Sequence, residues 1–85
     1  IADKATYSLA ISLYSEQNMV KKARQVFNDA ILDGYGDSIL YSIIINAYLK
    51  RGDILNAKIL YAIAVLNKVD DDAMKKAISK RESSR

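Results

Sequence analysis

The sequence predicts an all-α fold, an α-solenoid of two helix-turn-helix repeats followed by a C-terminal capping helix. Three observations carry this reading. Pro is absent and Gly occurs only three times in 85 residues, which leaves few helix breakers. Apolar residues recur at helical spacings of three and four. The chain also repeats itself with a 34-residue period. At that offset Tyr7/Tyr41, Ser8/Ser42, Ile11/Ile45, Tyr14/Tyr48, Ala23/Ala57, Ala30/Ala64, Leu32/Leu66 and Asp37/Asp71 are identical. Chance at ordinary composition gives roughly two such pairs. Phe27/Tyr61, Arg24/Lys58 and Val20/Ile54 are near matches.

The elements follow in order. Asp3 is placed to cap a first helix with Tyr7, Ala10, Ile11 and Tyr14 on one face. Asn18 is expected to cap a second helix that turns Val20, Ala23, Phe27, Ala30 and Ile31 inward. Gly34 ends it, since glycine takes the left-handed conformation a helix C-terminus needs. Asp37 or Ser38 opens a third helix carrying Tyr41, Ile44, Ile45 and Tyr48. Gly52 stops that helix, and Asp53 caps a fourth. Asp70-Asp71-Asp72 opens a fifth, where acids at the start and Lys80-Arg81 at the end both suit the helix dipole.

The helices are expected near 4–16, 19–33, 38–51, 54–67 and 72–81, in one domain over 1–85. Repeat 1 spans about 4–37 and repeat 2 about 38–71, with a capping helix and basic tail over 72–85. Ile43-Ile44-Ile45 is a β-branched triplet that a short window reads as strand, but the repeat period assigns it to helix. Tyr7, Ile11, Tyr14, Ala23, Phe27, Ile44, Ile45, Tyr48, Ala57, Tyr61 and Ala64 are expected in the core. The repeated alanines leave room for close helix approach. The fourth helix is apolar nearly all round and calls for cover by neighbouring protein. The fifth has only Ala73, Met74, Ala77 and Ile78 as apolar positions, which suits a cap.

Composition narrows function. There is no His and no Cys, so the commonest general base, transition-metal ligand and thiol nucleophile are missing. Gly34 and Gly36 lack the residues of a phosphate loop, and Asp70-Asp71-Asp72 has no distant carboxylates to complete a metal site. The expectation is a non-enzyme with no cofactor, metal or small-molecule substrate. Net charge is +3, from 13 basic and 10 acidic residues, which permits a polyanion without resembling a basic arm. The longest uncharged stretch, Ser38–Leu49, is too short to span a membrane. The chain opens on Ile1 without a visible targeting segment, so it is expected to be a piece of a longer protein.

Two repeat families share these features. Ala47-Tyr48, Gly52, Ala57, Tyr61 and Ala64, with the 34-residue period, resemble the tetratricopeptide repeats. Ile11 and Ile45 stand where that family prefers a small residue, and Tyr35 and Val69 where it has Pro. Thr6-Tyr7-Ser8 and Leu40-Tyr41-Ser42 resemble the helix opening of the pentatricopeptide (PPR) repeats. Ile44-Ile45-Asn46-Ala47-Tyr48-Leu49-Lys50-Arg51-Gly52 is similar to their first helix, and Ala23-Arg24-Gln25-Val26-Phe27 to their second. Gly34-Tyr35 followed by Asp37 resembles their exit. Departures are Ala30 and Ala64 in place of Met, a missing exit Pro and a repeat one residue short. The residues favour the PPR resemblance.

That resemblance implies single-stranded RNA along a concave face, one base per repeat, in organellar RNA metabolism and a mitochondrial location. Ser8 with Asp37, and Ser42 with Asp71, would read bases, and a hydroxyl with a carboxylate leans towards guanine. Ala5 and Ile39 would flank the base, and Lys50 would reach phosphate, where the first unit has Glu16. The same residues have plainer roles: Asp37 and Asp71 as helix caps, Ser8 and Ser42 on a solvated face. Tyr7, Tyr14, Tyr41 and Tyr48 suit packing, which leaves Tyr35 as the one free aromatic. Lys75, Lys76, Lys80, Arg81 and Arg85 make a basic run, either solvated or touching nucleic acid. The tetratricopeptide resemblance implies instead a cytoplasmic scaffold with a protein partner. Its groove residues Ser8, Ser12, Ser15, Asn46 and Lys50 would make a poor carboxylate clamp.

Overall fold

The computed structural model describes residues 3–83 as five α-helices: α1 (Lys4–Glu16), α2 (Val20–Leu32), α3 (Ser38–Lys50), α4 (Ile54–Leu66) and α5 (Asp72–Ser83). Arg85, counted above in the basic run, lies outside the described residues. Four of the helices start on an aspartate. Asp3 Oδ1 accepts from the Thr6 N–H at 2.9 Å, Asp37 from Leu40 at 3.2 Å, Asp53 from Asn56 at 3.2 Å and Asp71 from Met74 at 2.9 Å. Each satisfies one of the amides that a helix start leaves without a partner. Asp3, Asp37 and Asp71 stand one repeat period apart, so the first helices of successive units share one cap.

The second helix departs from expectation. Asn18 does not cap it; Met19 holds that position and offers no side-chain bond. Asn18 instead sits in the left-handed region at φ 60°, as does Gly52 at φ 78°, one period further on. Gly34 (φ 86°) and Lys68 (φ 60°) form the matching pair in the turns that close α2 and α4. All four turns tie off a helix in the same way. Met19, Tyr35, Asp53 and Val69 donate their N–H to the carbonyls of Tyr14, Ala30, Tyr48 and Ala64, at 2.8 to 2.9 Å. These are the six-to-one bonds of a Schellman ending, which satisfy carbonyls the last turn would otherwise leave bare.

Helix pairs α1/α2 and α3/α4 pack as hairpins, and α1, α3 and α5 lie side by side in one layer. The second helices lean on the next first helix, α2 on α3 and α4 on α5. The Cα envelope is 43 × 29 × 16 Å. Its thin dimension is that of two layers, with axes about 10 Å apart and a Cα radius of about 2.3 Å on either side. Ala23, Ala30, Ala57 and Ala64 are fully buried at the approaches within and between pairs. Phe27 of α2 meets Tyr41 of α3 edge to face, centroids 5.0 Å apart. Such a pair contributes ~1 kcal/mol beyond its burial and fastens one unit to the next. Ile43 to Ile45 is helical, with Ile44 and Ile45 fully buried. Packing overrides the local strand preference.

Eight of the eleven residues expected in the core are buried, but Tyr7, Tyr14 and Tyr61 are only half-buried. Their rings cover the core from its rim. Val20, Ala30, Leu40, Tyr41, Ala47, Leu49, Leu60, Met74 and Ile78 complete the interior. The last two explain α5. Met74 and Ile78 fall one period after Leu40 and Ile44 and are buried in the same way. Opposite them, Tyr41, Ile45 and Tyr48 become Lys75, Ser79 and Glu82, so α5 docks through one face and offers solvent a polar one. It is a first helix rewritten as a cap. Helix α4 packs on α3 and α5, while Leu55, Ile59, Val65 and Leu66 stay exposed. The neighbour expected to cover them is not among the described residues. No helix among those residues is long and apolar enough to cross a membrane.

Candidate functional site

The layer of first helices carries a continuous polar stripe. Steps of four residues keep side chains on one face of a helix. Ser8 and Ser12 lie this way on α1, Ser42, Asn46 and Lys50 on α3, and Lys76 and Lys80 on α5. The 34-residue register makes Ser8, Ser42 and Lys76 equivalent, and likewise Ser12, Asn46 and Lys80. The serines are half-exposed, and Asn46, Lys50, Lys76 and Lys80 are exposed. Asn46 Nδ2 donates to the Ser42 carbonyl at 2.9 Å and reaches its Oγ at 3.5 Å. The first of these fixes the amide over the serine; the second is too long to hold the hydroxyl, which stays available.

The two aspartates differ. Asp37 uses both oxygens: one accepts from the Leu40 N–H and the other pairs with Lys4 of α1. Partial burial works to raise its pKa, but Lys4 and the amides of the helix start outweigh it, and the carboxyl titrates below the usual range. Asp71 caps α5 through Oδ1 and is exposed. Lys4 lies one turn before Ser8 on the same face of α1, so its ion pair brings Asp37 to the Ser8 side of the layer. Among the described residues no hydrogen bond joins Ser8 to Asp37 or Ser42 to Asp71. Both serines are half-exposed and Asp71 is exposed, while Asp37 is partly covered.

Ile39, expected to flank a bound base, is 53% exposed in the first turn of α3, and Ala5 is exposed at the same place on α1. An exposed isoleucine beside polar groups offers a flat apolar contact. Lys50 projects from the end of α3 between two recesses. One, of about 500 Å³, is shared with Asn46, Leu49, Ala77, Lys80 and Arg81. The other, of about 390 Å³, is shared with Ser15, Glu16, Asn18 and Arg51. Tyr35 is not free. Its ring packs on Tyr7, centroids 5.8 Å apart, and covers the core. Tyr41 and Tyr48 are buried, so none of these rings forms a stacking platform.

Sequence reasoning missed Lys4 as the partner of Asp37, since nothing in the spacing of the two positions marks a contact. It also missed the alignment of Lys76 and Lys80 with Ser42 and Asn46, which the 34-residue offset could have supplied. Among the described residues no three acidic side chains draw together around a metal position.

Comparison with known families follows the same division. The PPR repeat family model matches residues 5–36 and 39–63, one match on each helix pair and together more than half of the chain. Helix α5 lies beyond both matches. No curated protein and no solved structure matches the chain.

Proposed function

The chain belongs to the PPR repeat family, and from that premise we propose that it is a non-catalytic module that binds single-stranded RNA along the layer of first helices. It acts within a longer array in organellar, mitochondrial RNA metabolism. The supporting observation is the repetition of one solvent-accessible polar pattern at one register. Ser8 and Ser42 occupy equivalent places on α1 and α3, each unit ends on an aspartate, and Ile39 stands exposed one turn before Ser42. A hydroxyl and a carboxylate can together address the hydrogen-bonding edge of an unstacked base, with guanine favoured. Lys50 supplies backbone contact. Two units address about two bases, so useful specificity belongs to the whole array.

The test is a titration of the array with single-stranded RNAs of different sequence over a range of salt. Ser42→Asn changes the preferred base at one position, whereas Lys50→Ala weakens binding to every sequence alike. An array that binds no RNA even at low salt overturns the proposal. A second reading then leads, favoured by the exposed Leu55, Ile59 and Leu66 of α4: a scaffold whose apolar helix docks on a protein partner. Binding in that case is indifferent to Ser42 and sensitive to Ile59→Glu.

A further inference from the structure

Helix α5 carries cations that capping does not require. Lys80 and Arg81 lie in its last turn, where both also suit the dipole. With Lys50 from the end of α3 they edge a single recess of about 500 Å³, floored by Leu49 and Ala77 and bordered by the Asn46 amide. Three cations thus converge from two helices. Among the described residues the ion pairs are Lys4–Asp37 and Lys58–Glu82, and none involves these three. The nearest acid on α5, Glu82, is turned towards α4 by its pair with Lys58. The acids that open α5 stand about 13 Å away along its axis. Glu16 borders Lys50 on the side of the other recess and makes no ion pair with it, so the three cations facing this recess are not paired with an acid. Like charges held together in this way repel one another, and an anion in the recess relieves that repulsion.

We propose that this recess is a phosphodiester-binding site, which rests on the RNA-binding reading above, and that Lys80 and Arg81 hold the strand backbone next to the base addressed by Ser42 and Asp71. The register supports the assignment. Where α1 and α3 present Ser8 and Ser42, α5 presents Lys76, so the stripe changes from neutral groups that suit bases to cations that suit phosphates. Arg81 offers a two-pronged donor for phosphate oxygens, and Lys50 and Lys80 act as point charges on either side. Helix α5 is then an anchor as well as a cap. It grips any sequence and fixes the register of the strand on the units before it.

The experiment is an NMR titration of the chain at low salt with two probes, an abasic phosphodiester oligomer and a guanine-containing single-stranded RNA of equal length. The abasic oligomer is expected to shift the resonances of Lys50, Lys80 and Arg81, and Lys80→Gln/Arg81→Gln is expected to abolish those shifts while leaving the spectrum of the free chain folded. With RNA, the double variant loses two contacts and flattens the slope of log affinity against log salt by about 1.4. If the abasic oligomer leaves the recess residues unmoved, or the slope is unchanged in the double variant, the proposal is overturned, whatever Ser42 does. If the abasic oligomer binds there and the RNA binds no differently, the anchor stands and base reading fails.

Discussion

Tyr7 donates its phenol hydrogen to the carboxylate of Asp33, and so pins the start of α1 to the end of α2. One period later the relationship recurs between Tyr41 and Asn67 with the donor reversed, the Asn67 amide reaching the Tyr41 hydroxyl at 3.4 Å. The geometry of the hairpin is therefore kept between the two units while its chemistry changes. The charge on Asp33 matters to the first pair only. It holds the Tyr7 phenol protonated, pushed up to about 12 from an ordinary 10.0.

That shift fixes a pH dependence. A group whose folded value is raised contributes stability that is complete below its unfolded value and is lost as pH climbs through the folded one. The Tyr7 contribution is therefore full below pH 10.0 and disappears as pH rises towards about 12. Denaturant melts of the wild type and Tyr7→Phe should converge over that interval. If the difference between them is flat from pH 9 to pH 12, the Tyr7–Asp33 bond does not form in solution.

The left-handed turns make a prediction with two signs. Gly52 occupies φ 78° with open space where a Cβ would stand, so strain there is purely a matter of backbone. Gly52→Ala should destabilise by about 1 kcal/mol. Lys68 already bears that strain at φ 60°, and Lys68→Gly should stabilise by about 0.5–1 kcal/mol once the greater freedom of unfolded glycine is allowed for. Asn18→Gly should gain less, because asparagine tolerates this region. Urea melts decide the signs, and a loss at Lys68→Gly would contradict the turn geometry.

These turns also show what is legible in the sequence. The helices and three of the first-helix caps follow from the 34-residue offset, because capping chemistry is local and the offset doubles every signal. Asn18 is ambiguous, since asparagine suits both a helix start and a left-handed helix end; its alignment with Gly52 points to the second. Tyr7, Tyr14 and Tyr61 resist prediction for a different reason. A ring on the apolar face of an outer helix is buried only as far as neighbours extend, and the number of neighbours is not written in the helix itself. Ser42, Lys50 and Ile39 are named in the sequence through the family resemblance, and their half-exposed or exposed positions follow from the helical face they share. The Lys4–Asp37 pair is not legible there, because it depends on how two parallel helices abut.

Ala57 is fully buried where α4 approaches α3. Ala57→Leu forces extra volume into a packed contact and should cost about 1–3 kcal/mol. Ala62, exposed on the same helix, is the control: Ala62→Leu should change stability by less than about 0.5 kcal/mol. Equal effects at the two positions would remove close packing as the reason for the repeated alanines.

The two aspartates that end the units should behave differently when probed. Lys4 helps to hold Asp37 below the usual carboxylate range against the opposing effect of burial, so Lys4→Ala should raise its titration point in a carboxyl NMR titration. A depressed carboxylate contributes stability that is present above its unfolded value and lost as pH falls, so the wild type should also lose more stability than Lys4→Ala on acidification below pH 3.8. Under the RNA-binding proposal the same pair has a functional consequence. Both Asp37 oxygens are engaged, while Asp71 caps α5 through Oδ1. The second unit should thus dominate base choice. Ser42→Asn should shift the base selected from a randomised RNA pool, and Ser8→Asn should leave it unchanged until Lys4→Ala releases Asp37. Selection that responds to Ser8→Asn in the presence of Lys4 would show that the ion pair does not mask the first unit.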